Sequence, residues 1–193
     1  MIERSLVLMK PDAVQRGIVG EILSRFERMG LKMVGAKLIQ IDEKFGSRHY
    51  CHSDVWAEKV GSINLKECAE SDIDPVEAFG SDDPIEIGKM VDKWNAEFLS
   101  MGPVLALVLE GPHAVQRIRD HVGGTFSLIS APGTIRGDYG LDSSLAGLRR
   151  GRTSFNMVHA SGTVDEAKEE IKLWFEEDEL LEYRRIHEDL YSY

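Results

Sequence analysis

The chain has 193 residues, a length that suits one substantial hydrophobic core with at most a small appended part. Hydrophobic residues make up 42% and charged residues 29%, a composition that excludes disordered and fibrous proteins and indicates a globular fold. The formal net charge of −10 argues against a general nucleic-acid-binding surface, because phosphate backbones require a positive field.

The sequence favours neither a membrane protein nor a protein with a structural metal site. No apolar run approaches the roughly 18 to 20 residues of a membrane span, and no signal-peptide pattern precedes the first strand-like segment. We therefore expect a cytoplasmic protein without membrane association. Cys51 and Cys68 are the only cysteines and form no CxxC pair, so we expect reduced thiols and no metal site built by the protein itself.

The first part of the chain predicts a strand, a helix and a second strand. Residues 5–9 form a short apolar run that stops at Pro11, which cannot continue a strand ladder. Apolar positions recur at helical spacing over residues 19–29, and Gly30 follows where a helix end favours a left-handed residue. Residues 33–41 are rich in branched apolar side chains and predict the second strand.

The middle of the chain is less regular. Asp42 suits the N-cap of a short helix that would carry His49 and Tyr50. Between residues 53 and 83 the periodicity weakens, and residues 66–87 carry eight acidic residues against one lysine. We interpret residues 53–83 as an insertion or a peripheral excursion.

Regular patterns return at Pro84, a favourable first residue of a helix. A strand, a helix and a last strand are then predicted at residues 104–109, 114–122 and 155–159. Thr163 and Glu166 form a capping-box pattern, which places the start of a final helix just beyond the last strand.

The predicted order is β-α-β, extra helices, β-α-β. This order is typical of a ferredoxin-like, split βαβ α+β fold with a four-stranded antiparallel sheet. We assign residues 1–175 to one domain, with the insertion at about 53–83 and a lengthened loop at about 142–154. Residues 176–193 are acidic and are predicted to form a partly helical C-terminal extension.

His159 ends the last predicted strand, where the sheet would fix its backbone while the ring reaches a cleft. A histidine there is either a nucleophile or a hydrogen-bonded structural residue. Glu170 lies eleven residues later, so about three helical turns would return its carboxylate to the imidazole, with Ser161 as a bridge. The alternatives are that Ser161 only starts a turn and that Glu170 lies on a solvated helix face.

Phosphoryl transfer to a histidine would need cations and neutral donors around it, because the reaction depends on positioning and charge neutralisation. Four residues that end or flank predicted elements are candidates: Lys10, Arg119, Thr125 and Arg136. Each is an ordinary surface residue on general grounds, so a common role requires that the fold bring them together.

Three segments of the sequence resemble, in the same order, the signatures of the nucleoside diphosphate kinase family. They are KPDAVQRG at residues 10–17, APGTIRGDY at residues 131–139 and NMVHAS at residues 156–161. Three ordered motifs are a highly specific signal, and the similarity covers residues 1–52 and 95–175.

The resemblance implies a ferredoxin-like fold, usually assembled into hexamers or tetramers. It also implies an enzyme that passes the γ-phosphoryl group of a nucleoside triphosphate to a nucleoside diphosphate by a ping-pong route. Mg²⁺ would arrive with the nucleotide phosphates. The family holds the base by stacking with few specific hydrogen bonds, which implies broad tolerance of base and sugar.

The resemblance also implies a role for each matched residue. His159 matches the phosphorylated histidine. The phosphate-contacting residues of the family are matched by Lys10, Arg119, Thr125 and Arg136. Tyr50 and Asn156 match residues around the catalytic site, and Ser161 and Glu170 match the supporting hydrogen bonds.

The sequence departs from the family pattern at three places. The base-stacking pair that normally follows Tyr50 has no assigned match, and residues 91–95 are candidates for its replacement. The loop at residues 142–154 carries three arginines that either approach phosphates or lie in an exposed loop: Arg149, Arg150 and Arg152. Gly162 stands where many members have an aspartate, which affects loop geometry more than chemistry.

Two other functions compete with this interpretation. A nucleotide-binding or protein-interaction module could keep the fold while its insertions alter the pocket, although the presence of His159 with its matched phosphate ligands argues against this. A P-loop kinase is a weaker rival, because neither GxxxxGKS nor GxxxxGKT occurs in the sequence.

Overall fold

The structure is a computed structural model that describes residues 1–185. Its sheet has four strands in the order β2-β3-β1-β4, and every neighbouring pair is antiparallel. This arrangement confirms the predicted α+β fold with a split βαβ sheet. The strands are β1 (Ile2–Met9), β2 (Lys32–Ile39), β3 (Val104–Pro112) and β4 (Val158–Ala160).

Ten α-helices are described in residues 1–185. The first five are α1 (Pro11–Gln15), α2 (Val19–Arg28), α3 (Glu43–His49), α4 (Asp54–Glu70) and α5 (Pro75–Phe79). The other five are α6 (Pro84–Ser100), α7 (Ala114–Val122), α8 (Ile135–Tyr139), α9 (Ser144–Leu148) and α10 (Val164–Trp174).

Helices cover both faces of the sheet. Val7 and Met9 of β1 pack with α2 and α7 on one face, whereas Leu6 and Leu8 pack with α10 and part of α6 on the other. All four side chains are fully buried. This two-sided burial explains why β1 reads as a continuous apolar run rather than as an alternating one.

The last strand is shorter than predicted, and the prediction that it begins at Phe155 is wrong. Met157 has a φ of 64°, and the amide of Val158 donates to the carbonyl of Asn156 at 2.7 Å. This i to i+2 bond closes a tight γ-turn immediately before β4. Extended pairing therefore starts only at Val158.

The irregular pattern of residues 53–83 conceals two helices, α4 and α5. Helix α4 packs along α6 through small residues: Ala57 and Gly61 of α4 face Gly88 and Pro84. Cys68 and Phe79 are buried with Ile87 of α6 in a third hydrophobic cluster. The small residues weaken the periodic apolar pattern while permitting close approach of the two backbones.

The lengthened loop at residues 142–154 folds onto the same unit. Leu148 of α9 belongs to the third hydrophobic cluster, and the hydroxyl of Ser144 donates to a carboxylate oxygen of Glu67 at 2.5 Å. Thr153 donates to the side-chain oxygen of Asn95 at 2.8 Å. The two segments that depart from the family pattern are therefore packed against each other and against α6.

The C-terminal segment lies against β2 as far as it is described. A 3₁₀ turn spans Glu177–Glu179, after which the amide of Leu181 donates to the carbonyl of Val34 at 2.7 Å. Lys37 pairs with Glu179. The remainder of the predicted partly helical extension, residues 186–193, lies outside the described residues. Within residues 1–185, no helix has both the length and the apolar character to cross a membrane.

The close contact between α4 and α6 generates a stability prediction. A Cβ atom at Gly88 would overlap the backbone of Ala57, whereas a Cβ atom at Gly20 in α2 would meet nothing within 4 Å. Gly88→Ala should lower the free energy of unfolding by about 2 kcal/mol, as overpacked cores do. Gly20→Ala is the control and should be neutral or slightly stabilising, because alanine is the better helix former. Denaturant unfolding curves that coincide for the two variants would contradict this packing.

Candidate active site

A cleft of about 500 Å³ opens beside the end of β1 and beside β4. Lys10, His159 and Asn156 line its inner part, and α4 and α6 supply one side wall. The structure thus brings the first and last sequence motifs together at one site.

The backbone before His159 is held by the motif that follows β1. The amide of Lys10 donates to the carbonyl of Met157 at 2.7 Å, and the amide of Met157 donates to Oδ2 of Asp12 at 3.1 Å. Burial raises the pKa of Asp12, partly offset by the charge of Lys10. A non-glycine residue with positive φ is strained, so these contacts stabilise the turn that presents the catalytic strand. Sequence reasoning missed this role of Asp12.

His159 lies beside the carboxylate of Glu170, as the eleven-residue spacing predicted. Its Nε2 is 2.7 Å from Oε1 of Glu170, a close contact without the alignment of a good hydrogen bond. The hydroxyl of Ser161 donates to Oε2 of Glu170 at 2.5 Å and accepts from the amide of Leu6 at 3.1 Å. The Glu170 side chain is only 11% exposed, so it does not lie on a solvated helix face.

The protonation state of His159 suits a nucleophile. Burial, reinforced by the charges of Lys10 and Arg136, holds the pKa of His159 well below its ordinary value. The ring is therefore neutral near pH 7. Within residues 1–185, its Nδ1 has no hydrogen-bond partner, and the side chain lines the cleft. With a proton on Nε2 beside Glu170, the Nδ1 lone pair is available to an electrophile in the cleft.

A second histidine supports the first. The ring of His49 contacts that of His159 edge-on, with centroids 4.5 Å apart, and its Nδ1 accepts from the indole of Trp174 at 3.3 Å. Burial lowers the pKa of His49, and the neighbouring His159 lowers it further. Two buried, neutral rings thus pack beside Glu170, whose own pKa is raised by burial. Nothing in the sequence pattern pointed to His49 beyond its place before Tyr50.

Tyr50 lies at the inner wall of the cleft. Its ring centroid is 6.3 Å from that of His159 and 5.7 Å from the amine of Lys10. Burial, followed by the charge of Glu170, raises the pKa of the phenol, so Tyr50 stays protonated and can act as a neutral donor.

Lys10 is the buried cation of the site. Its Nζ donates to Oδ1 of Asn156 at 2.9 Å, and the side-chain Nδ2 of Asn156 in turn donates to the carbonyl of Thr125 at 3.1 Å. Burial, followed by the charge of Arg136, lowers the pKa of Lys10 to about 7. The amine is therefore poised to gain a proton when negative charge enters the cleft.

Arg136 has a structural role that the sequence did not suggest. Its guanidinium donates to four backbone carbonyls, those of Gly123, Gly124, Asn156 and Val158. These bonds join the loop after α7 to the turn before β4. Burial lowers the pKa of Arg136 to about 10, so it remains charged. Four of its five N–H groups are committed, which leaves one for a ligand.

Arg119 and Thr125 lie at the outer rim, and both side chains line the cleft. Among residues 1–185, the side chain of Arg119 makes no hydrogen bond or ion pair, whereas its carbonyl accepts from the amide of Gly123 at 3.0 Å. Within residues 1–185, Glu166 is the one carboxylate that lines the cleft. Its Oε2 accepts from the amide of Gly162 at 2.9 Å. Glycine at position 162 thus leaves room for the side chain of Glu166.

The side wall of the cleft contains aromatic and aliphatic side chains from two helices. Trp56 and Val60 of α4 lie one helical turn apart and line the cleft. From residues 91–95, the side chains of Val91, Trp94 and Asn95 line it too. The i, i+4 spacing of an aromatic and an aliphatic residue soon after Tyr50 was the available signal.

The three arginines of the lengthened loop behave differently. Arg152 lines the cleft but pairs with Asp142 at 2.6 Å and lies over the ring of Phe155. Arg149 and Arg150 are exposed and do not line the cleft. Arg152 is therefore held as part of the wall.

Comparison with known proteins shows the family of the chain. The family model for nucleoside diphosphate kinase matches residues 3–58 and 88–180. A nucleoside diphosphate kinase of Pyrobaculum aerophilum is 43% identical over 181 residues, which are 94% of this chain and 99% of the relative. A crystal structure of the NDP kinase from that organism matches with a TM-score of 0.91 at 42% identity, covering 94% of this chain and 100% of the other.

Two solved structures contain ligands. The enzyme of Borrelia burgdorferi, described as a transition-state mimic with bound vanadate and ADP, is 33% identical, with a TM-score of 0.76 and coverage of 97% and 95%. The enzyme of Halobacterium salinarum in complex with CDP is 34% identical, with a TM-score of 0.68 and full coverage of both chains. With these matches over nearly its whole length, the chain belongs to the nucleoside diphosphate kinase family and has its kinase activity.

Proposed function

We propose that this chain transfers the γ-phosphoryl group through a phosphohistidine at His159. Nδ1 attacks the γ-phosphorus of a nucleoside triphosphate in line. The N–P bond forms as the bond from phosphorus to the β–γ bridging oxygen breaks, and that oxygen leaves with the electron pair on the diphosphate. The observation that carries this proposal is the neutral ring of His159 with Nε2 held 2.7 Å from Glu170.

The second half-reaction reverses the first in the same cleft. A terminal oxygen of an acceptor diphosphate attacks the phosphohistidine, and the N–P bond breaks with its electrons returning to Nδ1. Glu170 stabilises the ring while it carries positive charge, and Ser161 orients that carboxylate. These are the roles that the family resemblance implies for both residues.

Phosphate binding is assigned to the cations and donors of the cleft. Lys10, Arg119 and Arg136 would offset charge on the transferred group, and Tyr50 and Thr125 would donate hydrogen bonds. Asn156 would hold Lys10 in place through the 2.9 Å bond to its amine. Arg136 would act both as a ligand, through its remaining N–H, and as the tie between two loops.

Mg²⁺ would be held mainly by the nucleotide phosphates. In the part of the chain that is described, Glu166 is the one carboxylate lining the cleft, and its Oε2 already accepts from a backbone amide. One carboxylate is too few to hold Mg²⁺ by protein ligands alone. The phosphate oxygens of the nucleotide would therefore supply most of the ligands of the ion. Bound in this way, Mg²⁺ would supply charge neutralisation between the β- and γ-phosphates.

The nucleobase is assigned to the side wall, against Trp56 and Val60. Both residues offer flat or apolar surface, so purines and pyrimidines would be accepted with little discrimination. Broad tolerance also suits the relatives, whose structures contain ADP in one case and CDP in another.

We further propose that residues 1–175 form the catalytic domain, with additions at about 53–83 and 142–154 and a C-terminal extension at 176–193. The unmatched stretch between residues 58 and 88 of the family match supports the first addition. Its acidic side chains do not line the cleft. A homo-oligomer, either hexamer or tetramer, is proposed from the family resemblance.

Labelling with ATP that carries a radioactive γ-phosphate tests whether His159 is the nucleophile. Incubation with Mg²⁺ and ATP should add one phosphoryl group per chain, and GDP or CDP should remove it. His159→Ala should abolish both steps, because it removes the attacking nitrogen. His121→Ala is the control, since His121 is exposed and lies outside the cleft. Undiminished labelling of the His159 variant would overturn the mechanism.

Nucleotide binding should be coupled to proton uptake by Lys10. The free amine has a pKa of about 7, and bound phosphates would raise it. At about pH 8 most of the free protein carries a neutral amine, so binding should take up close to one proton, and affinity should fall as the pH rises above 7.

Calorimetric titration with ADP in buffers of different ionisation enthalpy measures this uptake. Lys10→Arg is the comparison, since an arginine stays charged and should abolish the effect at this position. Equal apparent enthalpies in all buffers for the unmodified protein would contradict the assignment.

A further inference from the structure

The proposed base platform is the surface of Trp56 and Val60 against which the nucleobase would stack. Its Trp56 side chain is held by two residues that the phosphoryl-transfer mechanism does not use. The imidazole of His52 stacks on the indole of Trp56, with ring centroids 3.8 Å apart and planes inclined by only 11°. The imidazole therefore packs flat against one face of the indole. The contact therefore restricts how the Trp56 side chain can turn.

His52 is itself fixed by a carboxylate on another helix. Its Nδ1 lies 2.7 Å from Oδ1 of Asp92, and its backbone amide donates to Oδ2 of the same residue at 3.3 Å. Asp92 belongs to α6 and is 14% exposed. Residues 51–53 have no regular secondary structure, so this two-point contact is what anchors the backbone and the ring of His52 together.

A fixed indole matters for binding a nucleobase. Ordering a free aromatic side chain when the ligand arrives would cost conformational entropy, and a side chain that is already ordered avoids that cost. Because His52 packs on one face of the indole, a base would stack on the opposite face. Trp56 and His52 both line the cleft, which places this arrangement at the position proposed for the base.

We propose that His52 and Asp92 are positioning residues that preorganise Trp56 for stacking against the nucleobase. The inference rests on the proposed function in one respect, the assignment of the base to Trp56. Asp92 holds the imidazole, the imidazole holds the indole, and the phosphate end of the nucleotide is bound independently by Lys10 and its neighbours.

Binding of two ligands separates this effect from phosphate binding. ADP carries a base, whereas inorganic pyrophosphate offers the phosphates alone. His52→Ala and Asp92→Ala should each weaken ADP binding about fivefold, as loss of one preorganised aromatic contact predicts, with pyrophosphate binding unchanged. Phosphoryl transfer at saturating nucleotide should keep its kcat, so the loss should appear in KM.

The double variant tests whether the two residues act in series. If Asp92 acts through His52, the pair of substitutions should weaken ADP binding no more than either one alone. Glu97→Gln is the matched control, because Glu97 is an exposed carboxylate on the same helix that pairs with Lys93. This control should bind both ligands normally.

Three outcomes would overturn the inference. His52→Ala could leave ADP binding unchanged, could weaken ADP and pyrophosphate equally, or could add its full effect to that of Asp92→Ala. Trp56→Ala distinguishes this failure from failure of the base assignment. If Trp56→Ala weakens ADP selectively while His52→Ala does not, only the positioning role is wrong, whereas an unaffected Trp56 variant would remove the base platform as well.

Discussion

The antiparallel pairing of β4 with β1 is the constraint on which the site depends. Leu8 pairs with His159 in this register, so the residues just beyond β1 lie beside the turn just before β4. Lys10 and Asp12 then hold the strained backbone at Met157 through one hydrogen bond each. The amine of Lys10 is held by Asn156, which directly precedes Met157 in the same turn. Neighbouring contacts therefore position both the strand that carries the proposed nucleophile and the amine proposed to bind phosphate.

Burial of the side chains in the site controls their protonation. Burial keeps the pKa of His159 and of His49 low and brings the pKa of Lys10 to about 7. The cleft consequently holds neutral nitrogen bases and a titratable cation within a chain whose net charge is −10. A negatively charged ligand would raise the pKa of Lys10, so that the protonated amine would offset the charge of the phosphates. Phosphoryl transfer requires such charge neutralisation.

Sequence reasoning predicted the fold and the approach of Glu170 to His159 because both depend on local patterns. Apolar runs and helix caps located the sheet, and the helix beginning at Thr163 returned Glu170 to His159 as its length implied. The strand predicted at residues 155–159 was wrong at its beginning, because no local pattern reveals a positive φ at Met157. Likewise, the backbone contacts of Arg136 depend on loops that are distant in sequence.

The side wall was not predicted because α4 achieves its packing with small residues rather than with an apolar stripe, which left only the spacing of Trp56 and Val60 as a signal. Gly61 and Gly88 allow the helices to approach closely, which brings Trp56 and Val60 to the cleft. The segments at residues 53–83 and 142–154 thus share one hydrophobic cluster, and both contribute residues that line the side of the cleft.

The proposed mechanism can be tested by locating the phosphoryl group on the imidazole of His159. Because Nε2 lies beside Glu170, we expect phosphorylation of Nδ1, which nuclear magnetic resonance of the phosphorylated chain would identify through coupling of phosphorus to the ring nuclei. A phosphoryl group on Nε2, or on a residue other than His159, would contradict it.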